Sequence, residues 1–347
     1  MNILVTGGAG FLGLHIAKFL TKKVGKIIIL DISDPDKREY PKKCLFVKGD
    51  VRDKKLMLKL TKDTDVVIHA AAALPLWKNN EIYDININGS KNILDASLKN
   101  KVKRFIYISS TAVYGVPKRH PIFESDERVG VGAYGESKIA AENLCREFRN
   151  KGLIVTVIRP KTFVGTFRLG VFEILFDWVK DGKRIPVIGN GTNKYQLLDV
   201  DDLVEAIYLF SINKNIKKIN DDFNIGSNKY KTVNKDLQEL FDYAKSGSRI
   251  LSTPAFLVKK ALFLFEKLKL SPLYQWVYDT ADKDSFVSIE KLIKTLNWKP
   301  KYSNSQALIK AYQWYLNNFD EIKSHPAGLT HRVGWKQGIL GFFKKFL

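Results

Sequence analysis

Apolar runs of strand length and stretches with helical periodicity alternate along the first half of the chain. Asn2–Thr6 is a short apolar run that ends on a glycine cluster, and Leu12–Leu20 then repeats its apolar residues at helical spacing. Lys26–Leu30 closes on Asp31, and Cys44–Val47 is followed by Gly49-Asp50-Val51. Lys54–Leu60 reads as a helix, Asp65–His69 as a fourth strand, Asp84–Asn100 as a helix and Arg104–Ser109 as a fifth strand. Ala133–Arg149 is helical, and Ile154–Ile158 is a sixth strand ending at Arg159-Pro160. Strands that alternate with helices predict an α/β fold with a doubly wound parallel sheet. Runs such as Val66-Val67-Ile68 suit strands covered on both faces.

After Pro160 the rhythm changes. Glycines and prolines gather between Gly165 and Gly191, Asp201–Phe210 reads as a helix and Asp222–Ile225 as a strand, and Lys229 to about Asn318 is mainly helical. The expected organisation is a dinucleotide-binding domain over 1–160, with 200–226 returning to it. A smaller, mainly helical substrate domain takes 161–199 and 227–318, and a basic amphipathic tail follows over 319–347.

Composition narrows the setting. Cys44 and Cys145 cannot build a disulfide framework and have no metal-ligand spacing, so a reducing, cytoplasmic environment and no metal are expected. The start has neither the basic residues nor the cleavage site of a signal peptide, and no apolar run nears the ~18 residues of a membrane span. Lys and Arg number 57 against 36 Asp and Glu, a formal net charge of +21. Such a surface attracts anions such as phosphorylated substrates, acidic lipid and nucleic acid, although most of the lysines are dispersed. No aromatic–basic RNA-recognition motif is present, so no specific nucleic-acid partner is expected.

Two motifs carry chemistry. Thr6-Gly7-Gly8-Ala9-Gly10-Phe11-Leu12-Gly13 lies between a strand and a helix. One glycine makes the tight turn, a second lets phosphates approach the backbone, and a third lets helix and strand pack. The helix N-terminus adds free N–H groups and a partial positive charge. Asp31, ending the second strand, suits the adenosine ribose hydroxyls and repels a 2′-phosphate, which favours NAD over NADP. Tyr134 and Lys138, four residues apart, share one helix face, where the ammonium would lower the phenol pKa and make a base. Ser109-Ser110-Thr111-Ala112-Val113-Tyr114-Gly115 follows the fifth strand, at the carboxyl edge where such sheets bind ligands.

In this order, with His69–Ala72, Asn86-Ile87-Asn88-Gly89, Arg159-Pro160 and Val200-Asp201-Asp202, these motifs resemble the extended short-chain dehydrogenases/reductases of the NAD-dependent epimerase/dehydratase type over roughly residues 1–318. The resemblance implies that Gly7, Gly10, Phe11, Leu12 and Gly13 hold the pyrophosphate and Asp31 the ribose. It places Asp50 and Val51 beside the adenine, Ala70, Ala71 and Ala72 along the cofactor, and Asn86 in support. Tyr134 would take a hydroxyl proton as hydride leaves the same carbon, Lys138 would bind the nicotinamide ribose, and Ser110 would be the helper hydroxyl. Thr111 is the second choice for that role and a candidate substrate contact. A homodimer through the two helices near Asp84–Asn100 and Ala133–Arg149 is expected by the same resemblance.

Two departures from the family pattern narrow the activity. Similar dehydratases carry an Asp-Glu pair after the helper hydroxyl, where this chain has Thr111 and Ala112, so elimination and decarboxylation are not favoured. The arginine that often precedes the Val-Asp-Asp stretch is missing, leaving Arg168 or Lys194 to meet substrate phosphates. The leading expectation is an epimerase of a nucleotide-linked sugar, and the alternative is a dehydrogenase of a lipid, sterol-like or lipid-linked alcohol.

In the tail, Trp335, Ile339, Phe342, Phe343 and Phe346 gather on one side at helical spacing, with lysines over much of the rest. Such a helix suits either the inner face of an acidic membrane or docking on its own protein or a partner subunit. Phe256–Leu270, also apolar with interspersed lysines, could join a membrane-facing patch. Asp31→Ala should weaken NAD binding by about tenfold or more, because charged hydrogen bonds are lost. Titration calorimetry checks this, and unchanged affinity would remove Asp31 from the site.

Overall fold

The structure is a computed structural model that describes residues 1–75, 77–268, 275–324, 332, 334 and 337–347. In chain order its first half runs β1 (Ile3–Thr6), α1 (Phe11–Leu20), β2 (Ile27–Asp31), β3 (Cys44–Lys48), α2 (Lys54–Thr61), β4 (Val66–His69), α3 (Asn79–Tyr83), a π-helical turn (Asp84–Gly89), α4 (Ser90–Lys99), β5 (Arg104–Ile108), α5 (Gly132–Asn150) and β6 (Val155–Pro160). The helix expected from Asp84 begins five residues earlier and passes through the π turn, which places Asn86 toward the sheet.

The rest runs β7 (Phe163–Val164), α6 (Val171–Lys180), β8 (Arg184–Ile188), β9 (Leu198–Asp199), α7 (Val200–Ile212), α8 (Ile216–Ile219), β10 (Asp222–Ile225), α9 (Val233–Ala244), β11 (Arg249–Thr253), α10 (Ala255–Lys267), α11 (Gln275–Thr280), α12 (Glu290–Leu296), α13 (Asn304–Asn317), α14 (Phe319–Ser324) and α15 (Ile339–Phe343).

Seven parallel strands form the central sheet in the order β10-β6-β5-β4-β1-β2-β3. The order reverses beside β1, and at such a switch point the loops at the carboxyl ends of the strands part and leave a crevice. One face of the sheet is covered by α1 and α7, with Leu14, Ile16, Leu203 and Ile207 fully buried against β1 and β2. The other is covered by α2, α4 and α5, with Ile93, Leu94, Ala141 and Phe148 buried against Leu4, Val67 and Phe105. A second core gathers Phe176 and Trp178 of α6, Leu240 of α9, and Leu308, Tyr312 and Tyr315 of α13. This core sits over the carboxyl edge of the sheet and walls the far side of the crevice.

A buried charge network pins α5 to the sheet. Arg159 at the end of β6 is fully buried and grips Glu142 of α5 with two bonds, Nε–Oε1 at 2.8 Å and Nη2–Oε2 at 2.7 Å. The same guanidinium donates to Asp222 of β10 and to the Tyr114 hydroxyl, each at 2.8 Å. Glu142 also accepts from Ser109 at 2.6 Å and Arg128 at 3.0 Å. Burial pushes Asp222 up, but Arg149 and Arg159 overcome it and hold the carboxyl at about 2. A bidentate guanidinium–carboxylate pair offsets desolvation only with this degree of satisfaction.

Part of the tail docks on the protein itself, while Phe342, Phe343 and Phe346 are left exposed. Lys344 bonds Asp177 at 2.5 Å and Asp181 at 2.7 Å on α6 and its C-cap, and Gln337 donates to Asp177 at 2.8 Å. Leu340 and Leu347 pack against the second core. The tail helix is shorter than its periodicity suggests, only Ile339–Phe343, and it starts at Gly338, whose left-handed backbone breaks the chain from any helix before it. Trp335 and Lys336 lie outside the described residues. No described helix is long and apolar enough to cross a membrane.

Removing the guanidinium would strand Glu142 and Asp222 in the interior. Arg159→Met should therefore cost roughly 3–5 kcal/mol of stability. Urea unfolding followed by circular dichroism checks this, and a loss below about 1 kcal/mol would mean that water reaches the pair.

Candidate active site

The crevice is a cavity of about 1240 Å³ that runs from the glycine loop to the second core. That exceeds the ~300–1,000 Å³ of a single small-molecule pocket. Gly7, Gly10, Phe11, Leu12, Asp31, Asp50, Val51 and Ala70–Ala72 line one end, and Ser110, Thr111, Tyr134, Lys138 and Arg168 line the middle. Of the other residues expected here, Gly13 and Asn86 stand behind the wall, and Lys194 lies outside it, exposed on a loop whose backbone bonds Asp284.

The loop after β1 has left-handed backbone at Gly7, and a Cβ there would lie 2.7 Å from the Ala71 backbone. A Cβ on Gly13 would strike Gly8 at 2.4 Å, so this glycine serves helix–strand packing rather than ligand contact. The loop is tied to β4 through buried polar groups. Thr6 Oγ1 bonds His69 Nδ1 at 2.6 Å, His69 Nε2 bonds Ser90 at 2.9 Å, and Ala71 N–H donates to Thr6 at 3.2 Å. Burial, with the Lys138 charge, lowers His69 to about 3, so the imidazole is neutral and structural. Asp31 accepts from Ala9 N–H and Ser33 N–H, both at 3.0 Å, and burial raises its pKa. A close-approach glycine turn, a helix N-terminus and a carboxylate ending β2 fit a dinucleotide.

Asn86 bridges the two walls. Its Oδ1 accepts from Ala73 N–H at 2.8 Å, and its Nδ2 donates to Ser137 of α5 at 3.0 Å. It thereby fixes the strand-end alanines relative to the helix that carries Tyr134 and Lys138.

The chemistry-bearing groups meet at the centre. Ser110 stands beside Tyr134, where it opposes the rise of the phenol pKa, and accepts from Ala112 N–H at 3.1 Å. Thr111 turns away and donates to the Pro160 carbonyl at 3.4 Å. Lys138 Nζ donates to the Ile108 carbonyl at 2.9 Å and lies 5.9 Å from the Tyr134 ring centre. The expected depression of Tyr134 by Lys138 is not found. Burial pushes Tyr134 up to about 12, and the groups opposing this are Ser110 and Arg168. Burial lowers Lys138 itself to about 8, against the pull of Glu142.

Sequence reasoning passed over Lys161, which directly follows Arg159-Pro160. Its position at the carboxyl end of β6, where such sheets bind ligands, was the available signal. Lys161 lines the cavity, is 1% exposed, and donates to Ser285 at 2.6 Å with its amine 4.9 Å from the Tyr195 ring centre. No ion pair to it occurs among the described residues, and burial lowers it to about 7. Tyr195 lines the cavity just before the stretch that leads into Val-Asp-Asp.

The tail also reaches this site. Arg332 donates to the Ala9 carbonyl at 3.1 Å and pairs with Glu39, so it crosses the mouth of the glycine loop.

Comparison with known proteins agrees with this geometry. The chain is 35% identical over 339 residues to an uncharacterized protein of Sinorhizobium fredii, covering 97% of this chain and 84% of that one. It is 27% identical over 358 residues to a UDP-glucose 4-epimerase of Lactobacillus helveticus, covering 94% and 99%. Among solved structures, a UDP-glucose 4-epimerase of Thermotoga maritima with UDP-glucose superposes with a TM-score of 0.77 at 26% identity, covering 92% of this chain and all of that one. Residues 3–226 match the NAD dependent epimerase/dehydratase family, and the chain belongs to that family.

Proposed function

We propose that this protein is an NAD-dependent epimerase that inverts one carbon of a nucleotide-linked sugar. The observation that carries this reading is the Ser110–Tyr134 pair at the centre of the cavity, followed by two buried residues, Thr111 and Ala112, that carry no carboxylate. Elimination or decarboxylation needs further acid–base groups, whereas reversible oxidation at one carbon needs one proton-transfer group and its hydrogen-bond partner. The Lactobacillus helveticus relative is a UDP-glucose 4-epimerase and the solved neighbour holds UDP-glucose, which favours this substrate class over a lipid or sterol-like alcohol.

When bound, NAD supplies a nicotinamide that takes up a hydride and returns it. Tyr134 takes the proton of the substrate hydroxyl and gives it back, while Ser110 holds the same oxygen by a hydrogen bond. Burial keeps Tyr134 protonated in the cavity, so its use as a base rests on positive charge beside it, to which Arg168 already contributes. Lys138, carrying its charge below about pH 8, is held by the Ile108 carbonyl and lines the cavity for the nicotinamide ribose. Lys161 and Arg168 are the proposed contacts for the substrate's anionic groups. Both are buried in the wall, where an anion restores what desolvation costs them.

An epimerase must return the hydride it took, so the purified protein should hold NAD tightly. Denaturation followed by chromatography and mass detection should release nucleotide near stoichiometry. Tyr134→Phe should cut turnover by at least about a thousandfold while leaving that nucleotide bound. An empty protein that binds added NAD reversibly would favour a dehydrogenase, and substantial activity in Tyr134→Phe would place the proton elsewhere.

Lys161 carries its charge below about pH 7 and loses it above. Affinity for a UDP-sugar should therefore fall as pH rises through 7, by up to about tenfold per pH unit. Lys161→Met should flatten that profile. A profile unchanged by the substitution would exclude Lys161 from anion contact.

A further inference from the structure

Helix α10 (Ala255–Lys267) is amphipathic in the reverse of the usual sense. Its inner side carries Lys259, which pairs with Asp282, Glu266, which accepts from Tyr278 at 2.6 Å, and the single buried residue Leu262. Its outer side carries two adjacent rows at helical spacing. Phe256, Lys260, Phe263 and Lys267 form one, and Leu257, Ala261, Leu264 and Leu268 the other, all exposed. Phe256 is 68% exposed and Leu257 62%. A soluble surface helix turns its apolar stripe inward.

The lysines on this face are placed among the rings. The Lys260 amine lies 4.3 Å from the Phe256 ring centre and that of Lys267 4.4 Å from Phe263. No carboxylate stands in either exposed row. A two-fold contact between copies of this chain would bring lysine row against lysine row, with Asp279 as a described acid at the border of the face. An anionic bilayer meets both halves of the pattern: the rings and leucines enter the headgroup boundary, and the ammonium groups reach back to phosphates. The excess of 57 basic over 36 acidic residues adds long-range attraction to such a surface.

We propose that the outer face of α10 seats this protein on anionic membrane as a helix lying in the interface plane. The helix also borders the reaction cleft, since Glu266 lines the cavity from its inner side. Seated this way, the enzyme would bring the substrate end of its cavity close to the headgroups. The tail, with Lys344 committed to Asp177 and Asp181, is not needed for this contact.

Co-sedimentation of the full chain with phosphatidylcholine vesicles, with and without phosphatidylglycerol, tests the proposal without any substrate. The wild type should pellet with the anionic vesicles, and less so as salt rises. Phe256→Ser/Leu264→Ser and Lys260→Glu/Lys267→Glu should each bind at least about tenfold more weakly at an unchanged melting temperature. Absence of pelleting, or equal pelleting of the wild type and both variants, would overturn it. Light scattering adds a further check: variants that lose self-association while keeping vesicle binding would hand the face to a second copy and overturn it too.

Discussion

The proposed base Tyr134 and its neighbour Lys138 both hang from α5, and α5 is held by a fully buried guanidinium. Arg159 of β6 joins β10 and the turn after β5 to the helix through Asp222, Tyr114 and Glu142. Apolar packing alone would let a helix slide or roll on a sheet, because dispersion is not directional. Paired bidentate bonds are directional, and leaving either partner unmet in the interior is costly. They fix the rotation of α5, and with it the side on which Tyr134 and Lys138 emerge. Asn86 performs the complementary task from the opposite wall by joining α5 to the alanines that end β4.

The site so held is unusually rich in amines that are not fully charged. Burial lowers Lys138 to about 8 and Lys161 to about 7, while it raises Tyr134 to about 12. Each group is thus displaced toward its neutral form, as the low local dielectric demands. An incoming anion reverses that balance at both lysines. At Lys161 the electrostatics are set by burial, and at Lys138 by burial against the pull of Glu142, so an anionic ligand would meet amines that gain charge on its arrival.

Much of this was legible in the sequence because it is local. The glycine loop, Asp31 and the i, i+4 spacing of Tyr134 and Lys138 are each written within a few residues, and the strands of the parallel sheet are nearly continuous apolar runs. What escaped was set by tertiary position. Lys161 reads as an ordinary basic residue until β6 is known to end at the cavity, and Lys194 reads as a phosphate contact until its loop is seen to turn outward. The i, i+4 spacing does place Tyr134 and Lys138 on the cavity together, but burial sets the phenol's pKa, and the ammonium, held by the Ile108 carbonyl, is not among the groups that oppose it. The tail's periodicity could not say whether Asp177 and Asp181 would be there to receive Lys344.

Arg332 closes on Ala9 across 323 positions of chain. Joining groups so far apart in sequence carries a loop-closure cost that contacts within the first βα unit avoid. The rim of the glycine loop is therefore completed by a residue whose placement depends on much of the chain folded between the two.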